Sequence, residues 1–122
     1  MLLNLKLPIP PSINHCYISK VLNGKVVKFK AKKFLDYIKV VLVEKPVDFK
    51  PISNNVYLTI DVFFRGRISD LDNILKVLFD SLQASNIIVN DSQIKKLSIE
   101  VKGKVSKQDQ PYIIVKIFDL SN

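Results

Sequence analysis

Hydrophobic and polar residues alternate along several short stretches of this chain, as they do in strands with one covered face. The clearest alternation spans residues 56–64, and a second one spans residues 97–101. Residues 2–7 predict a first strand, which ends where Pro8 removes a backbone donor. Residues 112–120 are apolar on both faces, so we expect a last strand in the interior of a sheet.

Two longer stretches carry apolar residues at helical spacing. Residues 31 to about 44 predict a helix that buries Phe34, Leu35, Ile38, Val41 and Leu42. Residues 71 to about 85 predict a second helix that buries Leu71, Ile74, Leu75, Leu78 and Leu82, with Ser69 or Asp70 as its cap. Asn23-Gly24 predicts a hairpin turn between residues 17–22 and 25–29, and residues 102–110 predict a hairpin turn or loop.

The predicted elements follow the order strand, hairpin, helix, strand, helix, strand, strand, which lacks a regular alternation of strands and helices. We therefore expect the α+β class, a small mixed sheet with two helices packed against it. The 122 residues suffice for a single domain, residues 1–122.

The chain is strongly basic, with 19 Lys and Arg against 11 Asp and Glu and a net charge of +8. Such a charge favours an anionic partner, first of all nucleic acid. The single cysteine, Cys16, excludes an intrachain disulfide and a cysteine-based zinc site, and we expect it to be buried. Residues 1–7 are interrupted by Asn4 and Lys6, so we expect no secretory leader, no membrane span and a cytoplasmic protein.

Two basic segments are candidates for contact with DNA. The predicted hairpin and the residues before it contain Asn14, Tyr17, Lys28 and Lys30, and lysines neutralise phosphates while a ring can stack on a base. Arg65 and Arg67 stand between the alternating strand and the second helix, where guanidinium groups could hold phosphates. A solvated hairpin and exposed turn residues remain equally good interpretations.

The second helix is acidic within this basic chain. Asp72, Asn73, Lys76 and Asp80 share its polar face, and Asp70 precedes it. If the residues after the helix run back beside it for roughly 20 Å, Asp91 arrives near Asp70 and Asp72. Three converging carboxylates suit Mg²⁺ or Mn²⁺. The alternative is ordinary capping acids and a surface pair of Asp72 with Lys76.

The residues Asp70-Leu71-Asp72-Asn73, Lys76, Asp80, Leu82 and Asp91, together with Pro10-Pro11-Ser12-Ile13-Asn14 and Tyr17, resemble the RusA family of Holliday junction resolvases. The resemblance covers most of the chain. It implies a crossover junction endodeoxyribonuclease in which Asp70, Asp72 and Asp91 hold Mg²⁺, which Mn²⁺ can replace, and Lys76 stabilises the transition state.

The resemblance also assigns Asn73 to orienting a ligand or water, and makes Asp80 a supporting residue. One departure is Ser69, which stands directly before Asp70 where a basic residue would be expected to act beside the acids.

The expected partners are branched DNA with four arms and a second copy of the chain, since a junction needs two symmetric nicks and closed two-fold dimers are the commonest oligomers. Phe63 and Phe118 are candidates for the pairing surface. Three rival functions stay open: an inactive nucleic-acid-binding module of the same fold, a general nickase of branched DNA, and a basic interaction protein.

Overall fold

The computed structural model describes residues 1–65, 71–106 and 108–120. The strands are β1 (Leu3–Pro8), β2 (Tyr17–Leu22), β3 (Lys25–Lys30), β4 (Val56–Phe64), β5 (Ile94–Lys104) and β6 (Tyr112–Asp119). The helices are α1 (Lys32–Glu44) and α2 (Leu71–Ala84), and two short 3₁₀ turns cover Ile13–His15 and Asp91–Gln93. The order predicted from the sequence is confirmed. The proposed caps of α2, Ser69 and Asp70, lie outside the described residues.

Four strands form one sheet in the order β1-β6-β4-β5. β6 is antiparallel to both of its neighbours, and β4 and β5 are parallel. The sheet is therefore mixed, and the α+β class is confirmed. The interior place predicted for the last strand is also confirmed. Of the two structures predicted for residues 102–110, the hairpin is wrong, because β5 and β6 pair on opposite sides of β4. β5 continues to Lys104, and the described residues between it and β6 lie in a loop.

The core lies between one face of this sheet and the two helices. It joins alternate residues of β1, β4 and β6 to Tyr37, Val41, Leu78 and Leu82. The buried face predicted for α1 was partly wrong, because Leu35 and Leu42 are 46% and 44% exposed. The helix is rotated so that Tyr37 points inward, where its hydroxyl donates a hydrogen bond of 2.7 Å to the Pro8 carbonyl.

β2 and β3 form a separate two-stranded hairpin whose turn, Asn23-Gly24, has positive φ at both residues. This is the turn that the sequence predicts. The base of the hairpin is held by a small cluster of Cys16, Phe34 and Val77, so the burial expected of Cys16 is confirmed. No helix in the part of the chain that the structure describes is long and apolar enough to cross a membrane.

The parallel pair β4 and β5 determines where α2 begins and ends. A helix that connects parallel neighbours runs back along the sheet, so α2 follows the carboxyl end of β4 and ends near the amino end of β5. Two hydrogen bonds of 2.9 Å connect the carboxyl end of α2 to the segment before β4. The Ile87 amide donates to the Leu82 carbonyl, and the Ile52 amide donates to the Ile87 carbonyl. Ile52 lies just before β4. The two ends of α2 therefore face opposite edges of the sheet.

Candidate nucleic-acid interface

An open cleft of about 500 Å³ separates the hairpin from α2. It is lined by Ile13, Asn14, Tyr17, Ser19, Lys28 and Lys76. Four residues predicted from the sequence, three of them from the basic segment and one from the acidic helix, thus meet in one place. The register of the hairpin explains this, because Ser19 pairs with Lys28 and Tyr17 with Lys30, which aligns these side chains on the face towards α2.

The 3₁₀ turn before the hairpin positions Asn14. Ser12 caps this turn, and its side chain accepts a hydrogen bond of 3.3 Å from the Asn14 amide. The Asn14 side chain is exposed at the mouth of the cleft. An amide group and two ammonium groups, those of Lys28 and Lys76, therefore line the cleft, and all three can donate hydrogen bonds to a phosphate.

Tyr17, Asp80 and Lys76 form a connected group between the hairpin and α2. The Tyr17 hydroxyl donates a hydrogen bond to Asp80, and the Lys76 ammonium lies 3.4 Å from the same carboxylate. The Tyr17 ring packs its edge on Phe34, with 5.3 Å between ring centres. Burial, followed by the hydrogen bond to Asp80, raises the pKa of Tyr17 above its ordinary value of 10.0. Tyr17 therefore stays neutral and keeps donating to Asp80 at neutral pH.

This group changes the pairing expected for α2. The ion pair that the structure shows for Lys76 is with Asp80, one turn towards the end of the helix, where the sequence had suggested Asp72. Asp80 has a structural role here, because it fixes both the ring that lines the cleft and the ammonium group opposite. Sequence spacing alone could not choose between the two acids, since both stand four residues from Lys76.

A second, smaller cleft of about 310 Å³ continues along α2 and is lined by Tyr17, Lys30, Asp80, Gln83 and Ala84. The Lys30 ammonium lies 5.8 Å from the centre of the Phe34 ring. Lys30 faces the end of α2 across this cleft, as Lys28 faces Lys76 across the larger one. The basic face of the hairpin follows α2 from Lys76 to its last turn.

Asp91 lies in the 3₁₀ turn after α2, and a dense hydrogen-bond network holds it there. Its amide donates a hydrogen bond of 3.2 Å to the Gln83 side chain. The buried Gln93 accepts from the amides of Val89 and Asn90, both at 2.8 Å. It also donates to the carbonyls of Ile52 and Asn54 at 2.7 and 2.8 Å. Gln93 was not predicted from the sequence, although an Asn followed three residues later by Gln is a capping signal.

Asp72 and Asp91 lie towards opposite ends of α2. Gln83, which binds the Asp91 amide, stands eleven residues after Asp72, or about 16 Å along the helix axis at ~1.5 Å per residue. The prediction that Asp91 lies near the start of α2 is therefore wrong for the Asp91 and the α2 of one chain. The chain does return along the sheet, but β5 makes that return after Asp91. Asp70 lies outside the described residues, and among those the structure describes no group of three His, Cys, Asp or Glu could hold a metal ion.

The remaining predicted residues that the structure describes lie towards two opposite edges of the sheet. Asn73 is half-buried in its first turn, beside the exposed Asp72. Arg65 directly follows β4, and its guanidinium donates to the Asp109 carbonyl in the loop before β6. Arg67 lies outside the described residues. Phe63 stacks on Tyr112 and Phe118 tilts against Tyr57, with ring centres 4.6 and 5.7 Å apart.

Fold and cleft together define a class: a small basic α+β protein whose lysine-lined cleft can bind an anionic chain such as nucleic acid. A comparison with protein families gives the more specific result. The model of the endodeoxyribonuclease RusA family matches residues 8–118, so the chain belongs to this family. The family comprises nucleases of Holliday junctions. A comparison with curated proteins gave no significant match.

Proposed function

We propose that this protein is a metal-dependent endodeoxyribonuclease that resolves four-way DNA junctions as a two-fold homodimer. The observation that carries the proposal is the cleft in which Asn14, Tyr17 and Lys28 meet Lys76. Asn14, Lys28 and Lys76 carry groups that can donate hydrogen bonds to a phosphate, and their nearness to α2 in a chain of this nuclease family supports the proposal. Mg²⁺ as the ion and paired cleavage as the outcome are parts of the proposal.

The donor set suits a hard divalent ion, because Asp70, Asp72 and Asp91 offer only carboxylate oxygens. One chain does not bring Asp72 and Asp91 together, since the two residues flank opposite ends of α2. A second copy, related by a two-fold axis, removes this difficulty if Asp91 of one copy lies beside Asp72 of the other. Each dimer would then hold two equivalent centres, as two symmetric nicks require.

A divalent ion, when bound, supplies an activated water and neutralises negative charge on the phosphate. The side chains of the cleft have their own tasks. Lys28 and Asn14 bind the DNA backbone and fix its direction. Lys76, held by Asp80, places a positive charge where negative charge develops on the reacting phosphate. The hydrogen bond from the Tyr17 hydroxyl holds the Asp80 carboxylate in place beside Lys76.

A complementation experiment tests both the metal carboxylates and the dimer. Asp72→Asn and Asp91→Asn should each abolish cleavage of a synthetic junction in Mg²⁺ while leaving binding unchanged or tighter, because fewer negative charges then face the phosphates. Asp36→Asn is the matched control, since Asp36 is an exposed carboxylate on α1 that pairs with Lys32 at 3.0 Å. It should cleave normally.

The two inactive variants are then mixed and allowed to exchange subunits. If each centre takes Asp72 from one copy and Asp91 from the other, a mixed dimer has one intact centre and nicks one strand of a cruciform. If each centre lies within one chain, every centre in the mixture lacks a carboxylate and no cutting returns. Full activity of Asp72→Asn alone would refute the metal assignment. A wild-type monomer in sedimentation that still resolves junctions would refute the dimer.

A further inference from the structure

The tip of the β2–β3 hairpin exposes apolar side chains to solvent. Val21 and Val26 face each other across the hairpin and are each 70% exposed, and the neighbouring Leu22 is 49% exposed. A Cβ added to Gly24 in the turn would meet no atom within 4 Å, so the tip stands free of the rest of the protein. A two-stranded hairpin is only marginally stable alone, and exposed valines add nothing to its packing.

The same hairpin carries four lysines, Lys20, Lys25, Lys28 and Lys30, and residues 17–30 contain no Asp or Glu. An apolar tip inside a purely cationic element is complementary to a ligand that offers both negative charge and apolar surface. A DNA duplex stacks the apolar faces of its bases against one another and exposes its phosphates, its sugars and the edges of the bases in the grooves. Branched DNA offers both, because base pairs at the branch point can be unstacked.

The direction of the hairpin links the tip to the cleft. Tyr17 and Ser19 lie on the face towards α2, and Val21 follows on that face at the same two-residue spacing. The Val21–Val26 pair is therefore about 13 Å beyond Tyr17, at ~3.3 Å per residue. A DNA strand bound between Lys28 and Lys76 would have its neighbouring bases within reach of this pair.

We propose that the Val21–Val26 tip is an apolar wedge that contacts unstacked bases at the branch point of the DNA bound in the cleft. The wedge confers selectivity for branched over duplex DNA, whereas the hairpin lysines supply charge-dependent affinity for both. This role rests on the proposed function, because it requires branched DNA as the substrate.

The test compares binding without divalent metal, so that cleavage plays no part. The Val21→Ser/Val26→Ser variant should bind a four-way junction about ten-fold more weakly and a duplex within about two-fold of wild type, since the lost contacts are apolar. A fluorescent 2-aminopurine at the branch point should brighten with wild-type protein and remain quenched with the variant. Val43→Ser/Val47→Ser is the matched control, because these valines are 80% and 91% exposed and do not line the cleft.

The salt dependence separates the wedge from the lysines. The valine variant should keep the wild-type slope of log affinity against log salt, whereas Lys20→Ala/Lys25→Ala should reduce its magnitude by about 0.9 for each lost phosphate contact. Melting curves check that the hairpin variants fold. Val21→Thr/Val26→Thr, which preserves side-chain shape and strand preference, replaces the serine variant if that one unfolds.

Three results would overturn the wedge. The first is a valine variant that retains junction selectivity and the 2-aminopurine signal, which would leave the proposed function intact. The second is a variant whose loss of junction binding follows from loss of dimers in sedimentation, because the tip would then be a contact between copies. The third is wild-type protein that binds junction and duplex equally, and this result would count against the proposed function as well.

Discussion

The hydrogen bond from Tyr17 to Asp80 should contribute measurably to stability, and Tyr17→Phe removes it while keeping the ring on Phe34. Hydrogen bonds to charged groups contribute about 1.5–3 kcal/mol. We expect a loss of about 1–2 kcal/mol, because Asp80 keeps Lys76 at 3.4 Å and is partly open to water. For a domain of this size that loss lowers Tm by about 4–8 °C.

Tyr57→Phe provides the control. The Tyr57 hydroxyl also has a side-chain partner, Ser98, at 2.9 Å, but this bond joins two neutral groups on the surface. Its loss should cost less than about 0.5 kcal/mol. Thermal melting of both variants, with Asp80→Ala and the Tyr17→Phe/Asp80→Ala double variant, completes a double-mutant cycle.

A pH titration gives an independent reading of the same contact. The raised pKa of Tyr17 means that the folded protein keeps this proton longer than the unfolded chain. Its contribution to stability is therefore complete below about pH 10 and is lost as the pH rises from there towards the folded pKa. Wild-type stability should fall above pH 10 more steeply than that of Tyr17→Phe. The proposed contribution of this hydrogen bond would be refuted if the two substitutions were additive within about 0.5 kcal/mol and the wild type and Tyr17→Phe lost stability alike above pH 10.

Two further predictions concern the residues that hold the site. Lys76→Ala should lower the cleavage rate at saturating junction by roughly 10² with Tm nearly unchanged, because its exposed pair with Asp80 contributes only about 0.3–0.5 kcal/mol. Lys32→Ala, which removes a similar pair on α1, should cleave normally, and a normal rate in Lys76→Ala would make Lys76 a surface residue only. Gln93→Ala should destabilise the protein by about 2–4 kcal/mol, because four backbone groups lose their partner. Gln108→Ala, in an exposed loop, should leave the stability unchanged. If the two variants melt at the same temperature, the four backbone groups do not depend on Gln93 and the prediction is wrong.

Local patterns in the sequence predicted most elements correctly, because each pattern reports a single periodicity. The alternation in β4, the spacing of Ile74, Leu78 and Leu82 in α2, and Asn23-Gly24 all depend on neighbours within one element. The rotation of α1 was less predictable. Its burial depends on docking against β1 and α2, which favours Tyr37 over Leu35 through a hydrogen bond to a distant carbonyl.

For the candidate site, too, some features could be predicted from the sequence and others depended on the tertiary structure. Residue type and spacing within the chain were enough to indicate the family, which is confirmed. They also made Asn14, Tyr17, Lys28 and Lys76 candidates for the site, and their roles stay predictions. Type and spacing were not enough to decide which residues meet. The choice of Asp80 as the partner of Lys76 depends on Tyr17, which lies about sixty residues earlier in the chain.

The place of Asp91 was decided by the tertiary structure alone. The sequence determined that a carboxylate follows α2 at this spacing, and an extended return beside the helix was a reasonable expectation from chain length. The parallel pairing of β4 with β5 instead places Asp91 at the amino end of β5, next to the residues that precede β4. Strand direction depends on pairing between distant segments, and no local pattern in the sequence specifies it.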